Sequence, residues 1–505
     1  MLDGSNPDPK FFSKTSFIQM GYGLWVSSVN ILIGLALGFP SSAIPQLKDD
    51  AKFSIGPSDE AWIASVLTLV APVGCIIGGY IMDIFGRRYA LVLGGIPFLV
   101  GWISIGLSKS ATHIIIGRIF TGVGCGMGMG TPRVYVTEIS LPNMRGVIAV
   151  FTTLSLSFGL TLQALLGSSF KWNELCLIYG VFSAVISISS LLLPETPYYV
   201  LIKSTQNEAE KVLKRFRGAE YDTRNEITEM MDFKATNNIS GLTFGTQIKL
   251  FVTRAVCLPF WIVIGYSVVT QLSGTSIIFV WTVDFLQASK VSFDSGSAHF
   301  FMELVRLGMG VVSAILMYKI GRRPQALISS LGVTVMCFVL GFLLLYNHSV
   351  TIYPFICYLL YVTFSTLGYY TLPFVMMYEL YPLQVRGVLG GLTNSIINFM
   401  VFGVNAAFPF FRDLVGHAYI LISFAMASIL GTVFLFFCLP ETKDLTLQEI
   451  EEYFNDLRPT LVSQRSVIAA QRSQLLTQTL ESNALRSRST LDLTLSKAAG
   501  RKPLN

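Results

Sequence analysis

Long apolar runs without a charged residue, separated by short polar stretches, set the rhythm of this chain. They occupy residues 15–47, 61–82, 89–108, 146–170, 175–194, 255–283, 388–411 and 414–440, and 324–378 is long enough for two. A helix rises about 1.5 Å per residue, so about 20 apolar residues cross the hydrocarbon core of a bilayer. Each run therefore predicts a membrane-spanning helix. Two further segments stay apolar around isolated charges: 110–134 holds Arg118, and 298–318 holds Glu303 and Arg306. Cutting 324–378 at the polar stretch YNHSVTIY, 346–353, brings the prediction to twelve crossings.

Composition agrees, with 505 residues that are 52% hydrophobic and only 13% charged, against about a quarter charged in ordinary soluble proteins. The first run follows Lys10 and Lys14 but is too long for a signal-peptide core, so it is kept as a helix. Twelve crossings put both termini on one side. The connection 203–254 carries nine Lys or Arg, and Arg87, Arg88, Arg145, Lys319, Arg322, Arg323 and Arg386 fall in loops of the same parity. The positive-inside rule makes that side cytosolic. The net charge of +6 is thereby explained as topology and gives no reason to expect nucleic acid.

Three signatures occur twice, in order. DIFGRR at 83–88 returns as YKIGRR at 318–323, EISLPNMRG at 138–146 as ELYPLQVRG at 379–387, and LPET at 193–196 as LPET at 439–442. Each falls after the second, fourth or sixth crossing of a six-helix half. An even number of crossings gives both halves the same orientation, an architecture that places a transport site near the midplane between them.

These motifs carry a family likeness. Gly86-Arg87-Arg88, Gly117-Arg118, Glu138 with Arg145-Gly146, Pro194-Glu195-Thr196, Gln271-Leu-Ser-Gly274, Gly321-Arg322-Arg323, Glu379 with Arg386-Gly387 and Pro440-Glu441-Thr442 resemble the sugar porters of the major facilitator superfamily. EAWIASVLTLVAPVG, GRRYALVLGGIPFLVGW and RVYVTEIS resemble the insect facilitated trehalose transporters within it. The resemblance implies an all-α polytopic membrane protein with the major facilitator fold, two parallel six-helix halves and a cytosolic helical linker. The boundaries expected are a cytosolic N-terminus 1–19, halves 20–202 and 255–442, the linker 203–254 and a largely disordered cytosolic tail 443–505.

It also implies an intracellular gate, in which Arg87, Arg88, Arg145, Arg322, Arg323 and Arg386 meet Glu138, Glu195, Glu379 and Glu441. Partly wet ion pairs of about 1 kcal/mol or less suit a latch that must open on every cycle. Tyr318 stands where an acid matching Asp83 is usual, which weakens the second-half copy.

A sugar site needs neutral groups that donate and accept, because millimolar binding is only about −4 kcal/mol and the cargo must be released. Thr270, Gln271 and Ser276 lie on the seventh crossing, Asn394 and Asn398 lie four apart on one face of the eleventh, Thr153 lies on the fifth, and Phe374 follows a Pro373 break in the tenth. Taken singly, each polar group reads equally well as interhelical glue. The resemblance aligns Gln271, Ser276, Asn394 and Asn398 with sugar contacts. Thr270 replaces a family Gln, Ser276 an Asn, Thr153 a Gln, and Phe374 and Ser395 replace Trp. Shorter side chains predict a roomier site with looser discrimination, compatible with a disaccharide.

Nothing suggests an enzyme or a cofactor. The seven cysteines lie in or beside apolar runs without CxxC spacing and read as packing residues, and no nucleotide-binding GxxxxGK[ST] occurs. The four histidines, at 113, 299, 348 and 417, fall at outer helix ends or outer loops and show no carboxylate partner in sequence. Glu303 and Arg306, three apart, read as a mutually neutralising pair near the outer boundary. The first crossing has no acid, which favours facilitated uniport of trehalose or a hexose across the plasma membrane; a proton-coupled symporter and a non-transporting sensor are the alternatives. The partners implied are the sugar and the bilayer. Thr446 and Glu449 form a capping-box pattern; Asn238 and Asn347 match a glycosylation pattern, but the first is predicted cytosolic and the second hugs the membrane in a short loop, so neither is expected to be modified.

Overall fold

The computed structural model describes residues 13–49, 55–141, 144–218, 253–292, 294–346, 350–381 and 386–443, with a few positions between 223 and 231 and at 450, 453 and 454. Eleven of its helices are long and apolar enough to cross a membrane, and Val256–Leu272 is a shorter apolar twelfth. Crossing 1 spans Lys14–Asp49, with a step at Ser28 whose hydroxyl donates to the Trp25 carbonyl at 2.6 Å. Crossings 2 to 6 are Pro57–Phe85, Arg87–Gly106, Ala111–Ile139, Arg145–Ser169 and Trp172–Ser190. Crossings 8, 9, 11 and 12 are Ser295–Ile320, Arg322–Tyr346, Arg386–Val415 and His417–Cys438. Crossings 7 and 10 are interrupted, and both interruptions bear on the site.

Exposed apolar side chains such as Ile76, Leu192, Leu430 and Phe437 form the outer surface, as lipid-facing positions require. Between helices there is no hydrophobic gain in lipid, so close approach relies on small residues and hydrogen bonds. Crossings 2 and 4 meet this way, the Gly126 position lying against the backbone of Ala71 and Gly74. Arg118 is buried in the same layer and donates to the carbonyls of Ala36 at 2.5 Å and Ile63 at 3.0 Å. Pro40 has no N–H to bond the Ala36 carbonyl within crossing 1, and the Arg118 guanidinium fills that place. Arg118 thus rivets crossing 4 to crossings 1 and 2.

The linker begins with helices Pro197–Lys203 and Gln206–Arg217. Phe216 is buried among Val26, Tyr135, Ile139 and Ile148, and Arg217 donates to the Ile139 carbonyl, so this helix packs onto the end of the first half. Residues from Pro440 onward form a second unit, in which the Lys443 N–H donates to Glu441 Oε1. Thr446, Glu449, Asn238, Asn347 and the tail 459–505 lie outside the described residues.

Candidate functional site

The stretch TQLSGTS is a helix break. Crossing 7 runs as Arg254–Leu272, then Thr275–Val280 and Thr282–Ala288, with Gly274 between the first two at φ +79°. That left-handed backbone suits glycine, and a Cβ there would lie 2.2 Å from the Phe424 ring of crossing 12. The sequence reading of one continuous polar helix is corrected here: Ser273 ends a helix and Gly274 begins the next. Of the four polar side chains, Thr270 and Ser273 donate back to the carbonyls of Tyr266 and Val269. Ser276 donates to Gln271 Oε1 at 2.5 Å, across the break. Gln271 is therefore oriented by its own chain, its amide nitrogen left for another acceptor.

Crossing 10 breaks as well, between Tyr353–Leu367 and Leu372–Leu380. The break falls before Pro373, because proline is accommodated in the first turn of the new helix. Carbonyls freed by the break have side-chain donors: Gln325 Nε2 and Ser313 Oγ reach Leu367 O at 2.6 and 2.8 Å, and Tyr266 Oη reaches Gly368 O at 3.3 Å. Irregular backbone at membrane depth is tolerated where protein satisfies it in this way. Tyr266, Ser313 and Gln325 escaped the sequence reading, since nothing in their own neighbourhood marks the helix that they serve.

Crossing 11 packs against the first two segments of crossing 7. It carries Asn394 and Asn398 in one row, with Asn398 Nδ2 donating to the Asn394 carbonyl at 2.8 Å and Asn394 Nδ2 lying 3.9 Å from Met129 Sδ of crossing 4. The polar row therefore reaches the other half. Gln271 and Ser276 flank the break in crossing 7, and Asn394 and Asn398 lie one turn apart on crossing 11, the helix that packs against it. Thr270 is turned to its own helix, and Thr153 and Phe374 are half-buried on crossings 5 and 10.

At the ends of the crossings, the repeated motifs show why they repeat. Gly86 and Gly321 turn one crossing into the next at φ +97° and +93°. Glu195 caps the start of crossing 3, accepting from the N–H of Arg87 at 3.0 Å and of Arg88 at 3.1 Å. A Cβ at Gly86 would lie 2.4 Å from that carboxylate. Burial raises the pKa of Glu195, against the backbone N–H groups of Thr196, Arg88 and Arg87 and the charge of Arg87.

Arg87 Nη2 and Glu138 Oε1 are 2.7 Å apart, and Arg322 Nη2 and Glu379 Oε1 are also 2.7 Å apart. Both pairs join helices of the same half. The Arg88 guanidinium lies over the Tyr89 ring, while Arg323 lies over Phe436 and donates to its carbonyl. The side chains of Arg145 and Arg386 lie outside the described residues, and Glu441 belongs to the second unit.

Two expectations about charge are revised. Glu303 and Arg306 do pair, at 3.0 Å, but on the third and fourth turns of crossing 8 with side chains only 2% and 6% exposed. The neighbouring carbonyl of Glu303 accepts from Thr161 of crossing 5, and Arg306 lies 4.4 Å from the Phe279 ring centroid. The pair is thus interior rather than peripheral. His299, one turn earlier, is buried against Ser41 of crossing 1 at 3.0 Å, and His417 has a carboxylate partner in Asp284 at 2.9 Å.

Residues 24–454 match the family of Sugar (and other) transporters. The chain belongs to this family. The transporter is 27% identical to the facilitated trehalose transporter Tret1 of Bombyx mori over 448 residues, 88% of this chain and 87% of that protein. It is 25% identical to the Tret1 of Drosophila grimshawi over 441 residues, 86% of this chain, but spans only 47% of that protein's length. Among solved structures it superposes on the inward open conformation of the xylose transporter XylE from E. coli with a TM-score of 0.72, at 18% identity, over 86% of this chain and 99% of that one. The fold is that of the major facilitator superfamily, and the chain is a multi-pass membrane protein of a transporter family.

Proposed function

We propose that the transporter carries trehalose or a hexose across the plasma membrane as a facilitated uniporter, by alternating access, with both termini cytosolic. The observation that carries this reading is the break in crossing 7, where Ser276 holds Gln271 in place and whose segments pack against crossing 11, the helix of Asn394 and Asn398. Neutral amides and hydroxyls at a break between two halves fit a cargo of many hydroxyls. The short side chains of Thr270, Ser276 and Thr153 leave room for a second sugar ring, and facilitated trehalose transporters are among the relatives. In this reading Arg87, Arg88, Glu138, Arg145, Glu195, Arg322, Arg323, Glu379, Arg386 and Glu441 act at the inner gate.

The test is uptake of labelled trehalose and glucose into proteoliposomes, with and without a pH gradient. Saturable uptake that ignores the gradient supports uniport. A second reading, proton-coupled uptake, is favoured by Glu303, a carboxylate buried in a membrane helix next to the contact with crossing 5. Uptake that follows the gradient and loses that dependence in Glu303→Gln would establish it.

A further inference from the structure

The outer ends of the helices hold a charge cluster that neither the inner gate nor the sugar site uses. Arg412 lies at the end of crossing 11. Its Nη1 is 3.4 Å from Glu60 Oε2 in the first turn of crossing 2 and 3.4 Å from Asp284 Oδ1 on crossing 7, and its Nε is 2.9 Å from Asp413 Oδ1. Lys48 of crossing 1 stands 3.0 Å from Glu60, and His417 of crossing 12 stands 2.9 Å from Asp284. Glu60 and Lys48 belong to the first half, and Asp284, Arg412, Asp413 and His417 to the second. The pairs divide accordingly. Lys48–Glu60 and His417–Asp284 are each internal to one half, whereas Arg412–Glu60 joins the two.

The surroundings show that this joint closes a seam. Crossing 1 packs against the short helices of crossing 7, crossing 2 runs along crossing 11, and the Trp62 and Phe402 rings meet across it at 5.9 Å. Between crossings 1 and 7 a cavity of about 20 Å³ remains, lined by Ser41, Ile44, Lys48, Trp281 and Asp284 among others. That is room for about one water and none for a sugar. At the cytosolic ends, by contrast, the arginine–carboxylate pairs described stay within one half.

We propose that Arg412 is the outer gating residue of this transporter: it ties Glu60 of one half to the Asp284 segment of the other and holds the sugar pathway shut from outside. The inference rests on the alternating-access reading above. Without Arg412, Glu60 keeps Lys48 and Asp284 keeps its hydrogen bond to His417, so each half retains its own contact and only the tie between halves is lost. Opening is reversible because the two contacts by which Arg412 reaches Glu60 and Asp284 are long, at 3.4 Å, and both carboxylates keep a second partner when it leaves.

The experiment places a reporter cysteine at Ile44, buried in the seam, or at Ser395 on crossing 11. Labelling by a membrane-impermeant thiol reagent, applied outside for Ile44→Cys and inside for Ser395→Cys, is compared with the same proteins lacking the reporter. Arg412→Gln and Glu60→Gln should each speed outer labelling about two- to fivefold and slow inner labelling. The double variant should do no more than the stronger single one, because the two residues form one contact. Unchanged outer labelling, or multiplicative effects in the double variant, would overturn the proposal. Faster labelling at both sites would mean loosened folding and overturn it too. Sugar flux in the unsubstituted protein is measured separately: its absence would remove the transport reading, while normal flux with unchanged labelling removes the latch alone.

Discussion

The Ser276 hydroxyl donates to Gln271 Oε1 at 2.5 Å, bridging the break in crossing 7 and fixing the Gln271 amide. Losing an amide contact to a buried hydroxyl is worth about 1–3 kcal/mol. Gln271→Ala should therefore raise the sugar concentration for half-maximal uptake about tenfold. Ser276→Ala, which only frees the amide, should have a smaller effect. Restoring length with Thr270→Gln and Ser276→Asn should lower the ratio of trehalose to glucose uptake, and an unchanged ratio would show that these positions do not set the size of the site.

Gly274 serves backbone and packing together. Gly274→Ala has to adopt a left-handed conformation and displace Phe424, a strain of about 1–3 kcal/mol before repacking. The expected result is a lower melting temperature in detergent. Adding Phe424→Leu should recover only part of it, because the backbone term remains.

Arg306→Ala leaves the Glu303 carboxylate without its partner in the interior, which costs about 3–5 kcal/mol of stability. Glu303→Gln combined with Arg306→Gln removes both charges and should be milder. Equal destabilisation of the single and double variants in thermal melts would show that the ion pair is not what the site depends on.

The raised pKa of Glu195 makes the folded protein hold a proton to higher pH than the unfolded chain. Stability from this group is therefore fully present below the ordinary carboxylate pKa and is lost as pH rises through the raised, folded value. Glu195→Gln is neutral throughout and should remove that component from the pH dependence of the melting temperature. An identical dependence in the variant would contradict the burial argument.

At the inner gate, Glu138→Gln leaves Arg87 without its carboxylate, and the prediction is a folded protein biased toward facing inward. Cysteine labelling from the cytosolic side should rise by the few-fold that a partly exposed pair supports. Arg386→Ala should act in the same direction.

The crossings and the twofold repeat were legible in the sequence because lipid imposes both: each helix must be apolar over a fixed length, and six crossings restore orientation. The glycines of the GRR motifs were legible as repeats, although the task of Gly86, turning the chain so that Glu195 can cap the next helix, shows only in three dimensions. The break at Gly274 was hidden because Phe424, more than a hundred residues later, occupies the space beside it. The contact of Arg412 with Asp284, and of Asp284 with His417, was hidden for the same reason, since no local pattern says which helix ends will touch. Glu303 and Arg306 were read correctly as a pair and wrongly as peripheral, because three-residue spacing fixes a helix face and says nothing of what covers it.

The most direct measurement of the central claim is uptake of labelled trehalose and glucose into proteoliposomes containing the purified transporter, without a proton gradient. The predicted result is saturable uptake of at least one of them, accelerated by unlabelled sugar on the far side and sharply weakened in Gln271→Ala. No saturable flux of either sugar, or flux indifferent to Gln271, would contradict it.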